Sequence, residues 1–269
     1  MSSNTLTLPK ARRVRVTDAL YESDLVALAE HTIDAIRIPR YSSAELSQEC
    51  AERLLQHPLF GFYANAANIG RVGMAYFETI FNPALRARYY SEARHMMQAI
   101  RQACAPLLTP VDRLRLELQE AWPWGANIEH LGEGKMFVGL SRLFAEGSEA
   151  LPHDDHLWRD APHSALAHEL RTQLTGNVYL RVGEGGELEL WDQQLTAEEF
   201  ETLRLPGSYG LDRARLPEPD LTLQPEVGEL ILFDPTYLHA VRPITEGVRI
   251  TVTFFIGYRG RQQPLTYWS

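Results

Sequence analysis

Three side chains that can bind a divalent metal stand out, two close together and one far along the chain. His153 and Asp155 are separated by one residue, and His239 follows 86 residues after His153. Two histidines and one carboxylate leave three coordination positions open, as oxygen-activating non-haem Fe(II) requires. If their segment is extended, His153 and Asp155 point to the same side, because side chains alternate along a strand. The three residues therefore predict an iron site.

An arginine ten residues after His239 suggests a second function for the same region. Arg249 falls in a predicted strand, 248–258, in which Arg249 and Thr251 share one face. A guanidinium group binds a carboxylate through two parallel hydrogen bonds, which lysine cannot do. Arg249 with Thr251 is therefore predicted to hold a dicarboxylate co-substrate beside the metal.

Two assignments in this region have alternatives. Asp154 and His156 alternate in the same way as the chosen ligand pair, so a shift by one residue would exchange the ligands. Arg242 competes with Arg249 as the anion anchor and is kept as a second co-substrate residue. Its alternative interpretation is an ion pair at the rim of the site.

The segments that carry these residues resemble the Fe(II)/2-oxoglutarate-dependent dioxygenases. The similarity extends over about residues 137–258 and rests on three motifs: His153-x-Asp155, the strand-like run 228–234, and the run 239–251 with its histidine, proline, glycine, arginine and threonine. It implies an α+β fold whose core is a double-stranded β-helix (a cupin-like jelly-roll), with an α-helical N-terminal half packed on it.

The resemblance also implies the reaction. Iron would be held by His153, Asp155 and His239, 2-oxoglutarate would meet Arg249 and Thr251, and O2 would be consumed with release of succinate and CO2 as the substrate is hydroxylated. Related non-haem iron halogenases carry glycine or alanine in place of the carboxylate, so Asp155 favours hydroxylation. A narrower similarity in block 153–159 to bacterial oxygenases of free amino acids predicts an amino acid, or a metabolite derived from one, as substrate.

Several polar residues near the predicted metal are candidates for contacts with the bound molecules. Asn177 is predicted to contact 2-oxoglutarate, and the substrate is assigned to Trp158, Arg159, Tyr179 and Arg142. Each has a simpler alternative: strand pairing for Asn177 and Tyr179, and a surface ion pair for Arg159. Strand parity does not decide whether Arg142 faces inward.

Composition restricts the function classes. The chain has 26 basic and 35 acidic residues, a formal charge of −9, and no basic tract with interleaved aromatic residues, so nucleic acid is excluded as a partner. No stretch of eighteen apolar residues or leader occurs, and the spacing of Cys50 and Cys104 matches no metal or redox motif. These features predict a soluble protein of the reducing cytoplasm with a small-molecule substrate. They leave the oligomeric state open.

The 269 residues, 45% of them hydrophobic, are interpreted as an N-terminal arm and one domain. Residues 1–20, with a basic cluster, are predicted to be a flexible arm. A single oxygenase domain then covers 21–269, with helical support over about 21–130 and the jelly-roll core over about 131–260. Apolar spacing and capping residues predict helices at 24–36, 44–56, 83–107 and 110–121, and a short inserted helix after Thr196. The proline-rich connection 206–225 is predicted to be an active-site flap.

Two other classes remain possible on a similar barrel. One is a metal-dependent isomerase or lyase of the cupin type, and the other is a jelly-roll that binds a ligand without catalysis. Neither class needs an arginine ten residues after its last metal ligand. Arg249 therefore favours the oxygenase.

Overall fold

The computed structural model describes residues 14–63 and 66–269, and within them seven helices occur. The three longest helices begin at capping side chains, since Ser43, Asn82 and Thr109 each accept a hydrogen bond from the backbone N–H three residues on. Proline follows directly at the first helical position in two of them. The helices are α1 (Glu22–Ala29), α2 (Ala44–Leu55), α3 (Pro83–Cys104), α4 (Pro110–Ala121), α5 (Leu157–Asp160), α6 (Ala165–His168) and α7 (Ala197–Leu203).

Sixteen strands of the described residues form one large sheet, one small sheet and one two-stranded ribbon. The strands are β1 (Val14–Val16), β2 (Ala35–Ile38), β3 (Phe60–Phe62), β4 (Ile69–Val72), β5 (Ala126–Ile128), β6 (Leu140–Ala145), β7 (Ala150–His153), β8 (Thr172–Arg181), β9 (Glu184–Gly185), β10 (Leu188–Leu190), β11 (Leu221–Leu223), β12 (Leu230–Phe233), β13 (His239–Val241), β14 (Ile244–Glu246), β15 (Val248–Tyr258) and β16 (Leu265–Trp268). The large sheet runs β1, β2, β12, β8, β15, β6, β4, β3, with β16 on β15 and β5 on β16. The small sheet runs β11, β10, β13, β7, and β9 pairs with β14.

From β6 to β15 the chain crosses repeatedly between the two sheets. Strands β6, β8, β12 and β15 belong to the large sheet, while β7, β10, β11 and β13 belong to the small one. Apolar side chains from both sheets form one buried cluster, with Leu188, Leu190 and Leu221 from the small sheet and Ile231 and Phe233 from the large sheet. The two sheets therefore face each other across a shared interior.

Helices cover the other face of the large sheet. Helices α1 and α2 contact β8, and α4 contacts β15. Gly176 on β8 permits the close approach of α4, because a Cβ atom there would lie 2.9 Å from the Cδ2 atom of Leu114. The α+β class is thus confirmed, with the helices of the N-terminal half packed against the large sheet.

The N-terminal segment differs from the predicted arm and first helix. Helix α1 ends at Ala29, and His31 adopts a positive φ of 53° in the turn that follows. Residues 35 and 36, predicted as the end of that helix, instead belong to β2 between β1 and β12, because their apolar side chains fill the sheet. Strand β1 lies within the predicted arm, whose first thirteen residues are outside the described part.

Two further features were not predicted. The connection 206–225 contains β11, which pairs with β10, and a 3-10 turn at Arg213–Arg215. A disulfide joins Cys50 on α2 to Cys104 at the end of α3, although their wide spacing in sequence matches no motif. None of the helices in the described part is both long and apolar enough to cross a membrane.

Candidate active site

The two histidines of the predicted triad meet through strand pairing. His153 is the last residue of β7, His239 is the first of β13, and the two are directly opposite each other in the antiparallel pair. This register explains how residues far apart in sequence become neighbours. Asp155 lies two residues beyond the end of β7, where its backbone N–H donates to the carbonyl oxygen of Pro235 at 2.8 Å.

The three side chains converge on a small volume. The Nε2 atom of His239 lies 3.6 Å from the Oδ2 atom of Asp155, and the Nε2 atom of His153 lies 4.0 Å from the same oxygen. One potential ligand atom from each residue lies within 4.8 Å of the others. This is the separation expected for donors that share one ion. Within the described residues this is the one group of three or more such side chains.

Both imidazole rings are oriented by backbone carbonyl groups. The Nδ1 atom of His153 is 2.6 Å from the carbonyl oxygen of Leu151, and that of His239 is 3.1 Å from the carbonyl oxygen of Tyr237. An Nδ1–H that donates to a carbonyl leaves the Nε2 lone pair free for a metal. The arrangement therefore favours the tautomer that a ligand histidine needs.

The electrostatics of the triad suit a metal site. Burial, with a further contribution from His239, lowers the pKa of His153 to about 4, so this ring is neutral at neutral pH. Burial alone would raise the pKa of Asp155, but the hydrogen bond from His239 and the nearby charges hold it well below its usual value. The site thus presents a neutral imidazole and an ionised carboxylate.

The alternative ligand pair is engaged elsewhere. Asp154 has a side chain only 2% exposed, and its carboxylate lies 2.6 Å from a nitrogen of Arg159 and 3.4 Å from Nε2 of His156. These contacts make a local ion-pair network beside the triad, so Asp154 and His156 are already paired. The register with His153 and Asp155 is the one that brings three ligands together.

Arg249 is buried on β15 without an acid partner. Its side chain donates from Nη1 to the carbonyl oxygen of Gly186 at 2.9 Å and from Nη2 to the hydroxyl of Tyr179 at 3.3 Å, while Nε has no acceptor. No carboxylate within the ranges 14–63 and 66–269 forms an ion pair with it, and burial lowers its pKa. A buried, uncompensated guanidinium is costly, so this position is suited to an anionic ligand.

Gly186 is required for the arginine's position. It has a φ of +67°, and a Cβ atom there would lie 2.4 Å from Ile244 and 3.6 Å from the Cδ atom of Arg249. Only glycine combines this backbone conformation with such close packing. Gly186 was not predicted as a site residue, because a glycine-rich turn has no specific signature for a neighbouring arginine.

The remaining strand residues lie on the face that includes Arg249. Thr251 is opposite Tyr179 on β8 and Arg142 on β6, and Asn177 is opposite Thr253. Thr251 and Asn177 are both buried. Tyr179 was predicted to contact substrate, and its hydroxyl accepts a hydrogen bond from the guanidinium of Arg249.

Arg242 does not reach the site. Its Nε atom donates to Glu189 at 2.6 Å, and Arg213 forms a second ion pair with the same carboxylate. Glu189 is opposite Ala240 in the small sheet, and Ala240 packs in a cluster apart from the one between the sheets. Arg242 therefore forms an ion pair, as in its alternative interpretation, but on the outer face of the small sheet and not at the rim of the site.

A cavity of about 300 Å³ opens beside His153 and Asp155. Arg142 and Arg159, both predicted substrate residues, line it, whereas Trp158 is 44% exposed and does not. A larger groove of about 520 Å³ lies between the end of α3 and α4 and contains none of the predicted site residues. The cavity at the triad is therefore the candidate substrate site.

Sequence reasoning missed much of the cavity wall. Its polar members are Tyr63, Asp160, Arg204 and Tyr209, and its apolar members are Ala66, Ile69, Phe77, Ile80, Phe144, Ala150 and Phe200. Tyr209 belongs to the connection predicted to be a flap, and its ring meets the ring of His153 edge-on at 5.6 Å between centroids. Its hydroxyl oxygen accepts a hydrogen bond from the backbone N–H of Leu151 at 3.0 Å. The length of that connection was the one available signal.

Comparisons with known proteins agree with this geometry. The family model described as the 2OG-Fe(II) oxygenase superfamily matches residues 138–257. The chain is 30% identical over 216 residues to "Leucinostatins biosynthesis cluster protein S" of Purpureocillium lilacinum, which covers 75% of this chain and 86% of that protein. It is 29% identical over 125 residues to a PKHD-type hydroxylase of Paraburkholderia xenovorans, which covers 45% of this chain and 44% of that protein.

A solved structure shares the fold. It is an N-substituted L-amino acid dioxygenase from Burkholderia ambifaria in complex with alpha-KG, with a TM-score of 0.61 over 92% of this chain and 90% of that chain. The two sequences are 17% identical, so the likeness is one of architecture.

Proposed function

The chain belongs to the 2OG-Fe(II) oxygenase superfamily, and from this premise we propose that it hydroxylates an unactivated carbon of an amino acid or of a metabolite derived from one. The enzyme uses Fe(II), 2-oxoglutarate and O2. In the proposed reaction the co-substrate loses CO2 and becomes succinate, while the substrate gains a hydroxyl group.

We assign the iron to His153, Asp155 and His239. The assignment is supported by their converging donor atoms and by the two carbonyl groups that orient the rings. Bound Fe(II) with open positions supplies the activation of oxygen. The protein's part is to keep the His153 ring neutral and the Asp155 carboxylate ionised, as the directions of their pKa shifts favour.

We assign the far carboxylate of 2-oxoglutarate to Arg249. Its Nε atom is buried without an acceptor, and no acid of the described chain pairs with its charge, so a carboxylate would satisfy both. Tyr179 already contacts this guanidinium and can donate its hydroxyl hydrogen to the same ligand. Thr251 and Asn177 lie on the same interior face and are proposed as further wall residues.

The substrate assignment rests on one observation, the contacts that the Arg142 side chain makes. Its guanidinium lines the cavity beside Asp155, and its one side-chain hydrogen bond goes to the hydroxyl of Tyr63 at 3.3 Å. Arg159, in contrast, is already paired with Asp154. Arg142 therefore has a charge available for a substrate carboxylate.

We also interpret the fold and the organisation of the chain from this function. The eight strands that cross between the facing sheets, β6 to β15 without β9 and β14, are proposed to be the double-stranded β-helix, with the site at one of its ends. Residues 21–269 are proposed to act as one oxygenase domain. A small molecule is its proposed partner, since the cavity volume suits one.

The proposal is tested by an anaerobic titration with Fe(II) and 2-oxoglutarate, in which the visible absorption band of the chelate reports on cofactor binding. Free L-amino acids are then screened for a shift of that band and for O2-dependent succinate formation. Arg142→Gln should leave the band intact and weaken the amino-acid response by roughly ten- to one-hundred-fold, because a hydrogen-bonded charge contributes about 1.5–3 kcal/mol.

Arg94→Gln is the matched control, since Arg94 is exposed on α3. It should change neither the band nor the response to amino acids. If Arg142→Gln and Arg94→Gln behave alike with every responsive amino acid, Arg142 does not bind the substrate carboxylate.

A further inference from the structure

The carboxyl group of Asp160 differs from the other two acids that line the cavity. Asp154 is paired with Arg159 and His156, and Asp155 faces the two histidines of the triad. Asp160 forms no side-chain hydrogen bond and no ion pair with any described residue, although it lines the cavity. It is the one acid of this wall that is left for a ligand.

Asp160 occupies a defined place relative to the proposed substrate arginine. It is the last residue of α5, five residues after Asp155. Together with Arg142 and Asp155 it lines both the 300 Å³ cavity and a small adjoining void of about 10 Å³. Arg142 and Asp160 therefore lie around the same space next to the triad, yet they do not pair with each other.

A carboxyl group in this position is electrostatically unfavourable by itself. Burial raises the pKa of Asp160 well above its usual value, the charge of Asp155 raises it further, and Arg159 opposes the shift. A partly buried acid without a partner is stabilised by a cation that donates hydrogen bonds to it. The cationic side chains of the wall are Arg142, Arg159 and Arg204, and none of them supplies that contact.

We propose that Asp160 binds the ammonium group of the substrate while Arg142 binds its carboxylate, so that the site selects a zwitterionic amino acid with a basic primary or secondary amine. One unpaired cation and one unpaired acid on the same cavity wall are complementary to the two charges of such a molecule. N-acylated amino acids lack the basic amine, and carrier-tethered amino acids lack the free carboxylate. The inference rests on the proposed amino-acid oxygenase function and makes its substrate class specific.

The test compares three derivatives of each amino acid that responds in the screen: the free form, the N-acetyl form and the carboxamide. Their affinities are measured anaerobically from the shift of the Fe(II)–2-oxoglutarate band, and succinate formation is measured in air. The proteins are the wild type, Asp160→Asn, Asp160→Ser and Glu198→Gln. Glu198 is an exposed acid on α7 and controls for the loss of one negative charge.

The wild type should bind the free amino acid roughly ten- to one-hundred-fold more tightly than its N-acetyl form, as expected for a charge-assisted hydrogen bond. Asp160→Asn and Asp160→Ser should bring this ratio close to one, whereas Glu198→Gln should keep it. Discrimination against the carboxamide should persist in both Asp160 variants, because it depends on Arg142. Two different substitutions are used so that a folding defect in one of them does not decide the result.

Several outcomes would overturn the inference. If the Asp160 variants keep the preference for the free amine, or if the wild type has no such preference, Asp160 does not bind the ammonium group of the substrate. If the cofactor band forms but no derivative shifts it, the amino-acid assignment fails together with the role of Asp160, and the iron and 2-oxoglutarate assignments stand. If the band itself does not form, the assignment of the cofactor residues fails first.

Discussion

The two arginines of the interior, Arg249 and Arg142, differ in how the fold surrounds them. Arg249 is 4% exposed between strand residues and a glycine turn, and its contacts are made by backbone and by Tyr179. Arg142 lies on the neighbouring strand, but the wall opposite it is built from α5, α7 and the connection after α7. The strand-built end suits a co-substrate that never changes, whereas the wall of helices and connections can vary with the substrate.

The difference has a mechanistic counterpart. The proposed co-substrate end is closed by the pairing of β6, β8 and β15, in which the register between β8 and β15 shifts once, between Ile250 and Thr251. The substrate end depends on short elements whose side chains are placed by tertiary contacts, such as Tyr209 against His153. Substitutions at the proposed co-substrate end should therefore change the KM for 2-oxoglutarate. Those at the proposed substrate end should change the KM for the substrate.

The largest effect is expected where both ends depend on one residue. His239→Ala removes a ligand of the proposed iron, and because the metal contributes several kcal/mol of transition-state stabilisation, turnover should fall on the order of a thousandfold or more. Iron content after anaerobic loading, measured by a chelator assay, should fall as well. His156→Ala, at the alternative ligand position, should retain its iron, and equal iron loss in both variants would contradict the assigned register.

A large effect confined to one end is expected at the buried arginine. Arg249→Lys cannot make a bidentate contact with a carboxylate, so the KM for 2-oxoglutarate should rise about ten- to one-hundred-fold. The KM for the amino acid should stay near that of the wild type. Arg242→Lys is the matched control, since Arg242 pairs with Glu189 on the outer face. A comparable rise in that variant would mean that the two arginines do not differ as described.

A smaller effect is expected at the connection that covers the substrate end. Tyr209→Phe removes the acceptor of the Leu151 N–H hydrogen bond, which contributes about 1 kcal/mol, and leaves the ring beside His153. The KM for the amino acid should rise about fivefold, with little change in the KM for 2-oxoglutarate. Steady-state kinetics with each substrate varied in turn would measure both. A rise in the KM for 2-oxoglutarate alone would contradict the placement of Tyr209 at the substrate end.

The smallest effect concerns stability rather than turnover, and it applies to the metal-free protein. Because the folded-state pKa of Asp160 is raised, the folded protein keeps a proton that the unfolded chain loses above about pH 4. The wild type therefore loses stability as pH rises from there toward the folded-state pKa, whereas Asp160→Asn has no such loss. The Tm difference between variant and wild type, measured by thermal denaturation with a chelator present, should grow with pH in favour of Asp160→Asn. A difference that is constant with pH would mean that Asp160 is not destabilised by ionisation.

The sequence was most informative where chemistry coincides with strand periodicity. Strand β15 covers the predicted range, and the alternation of Arg249 and Thr251 follows from its period of two. The bounds of α4, and the capping box at Thr196 and Glu199 that begins α7, were also predicted, because capping and proline signals are local.

The predictions that were wrong concern residues whose environment depends on long-range contacts. Residues 35 and 36 continue the apolar spacing of the predicted helix 24–36, but they pair with strands on both sides in the large sheet. Such tertiary pairing overrides local propensity. Arg242 was a reasonable anion anchor by its distance from His239. Its side chain, however, lies on the outer face of the small sheet and pairs with Glu189, which is far from Arg242 in sequence.

By itself, the sequence determined the α+β class and predicted the ligand set and the co-substrate arginine, because residue type, spacing and strand parity are properties of short segments. Only the tertiary structure decided that β7 and β13 pair with His153 opposite His239, and which of the nearby charges are already neutralised. The availability of Arg142 and Asp160 depends on which partners the fold brings within a few ångströms. Such proximity arises from long-range packing, which no single segment encodes.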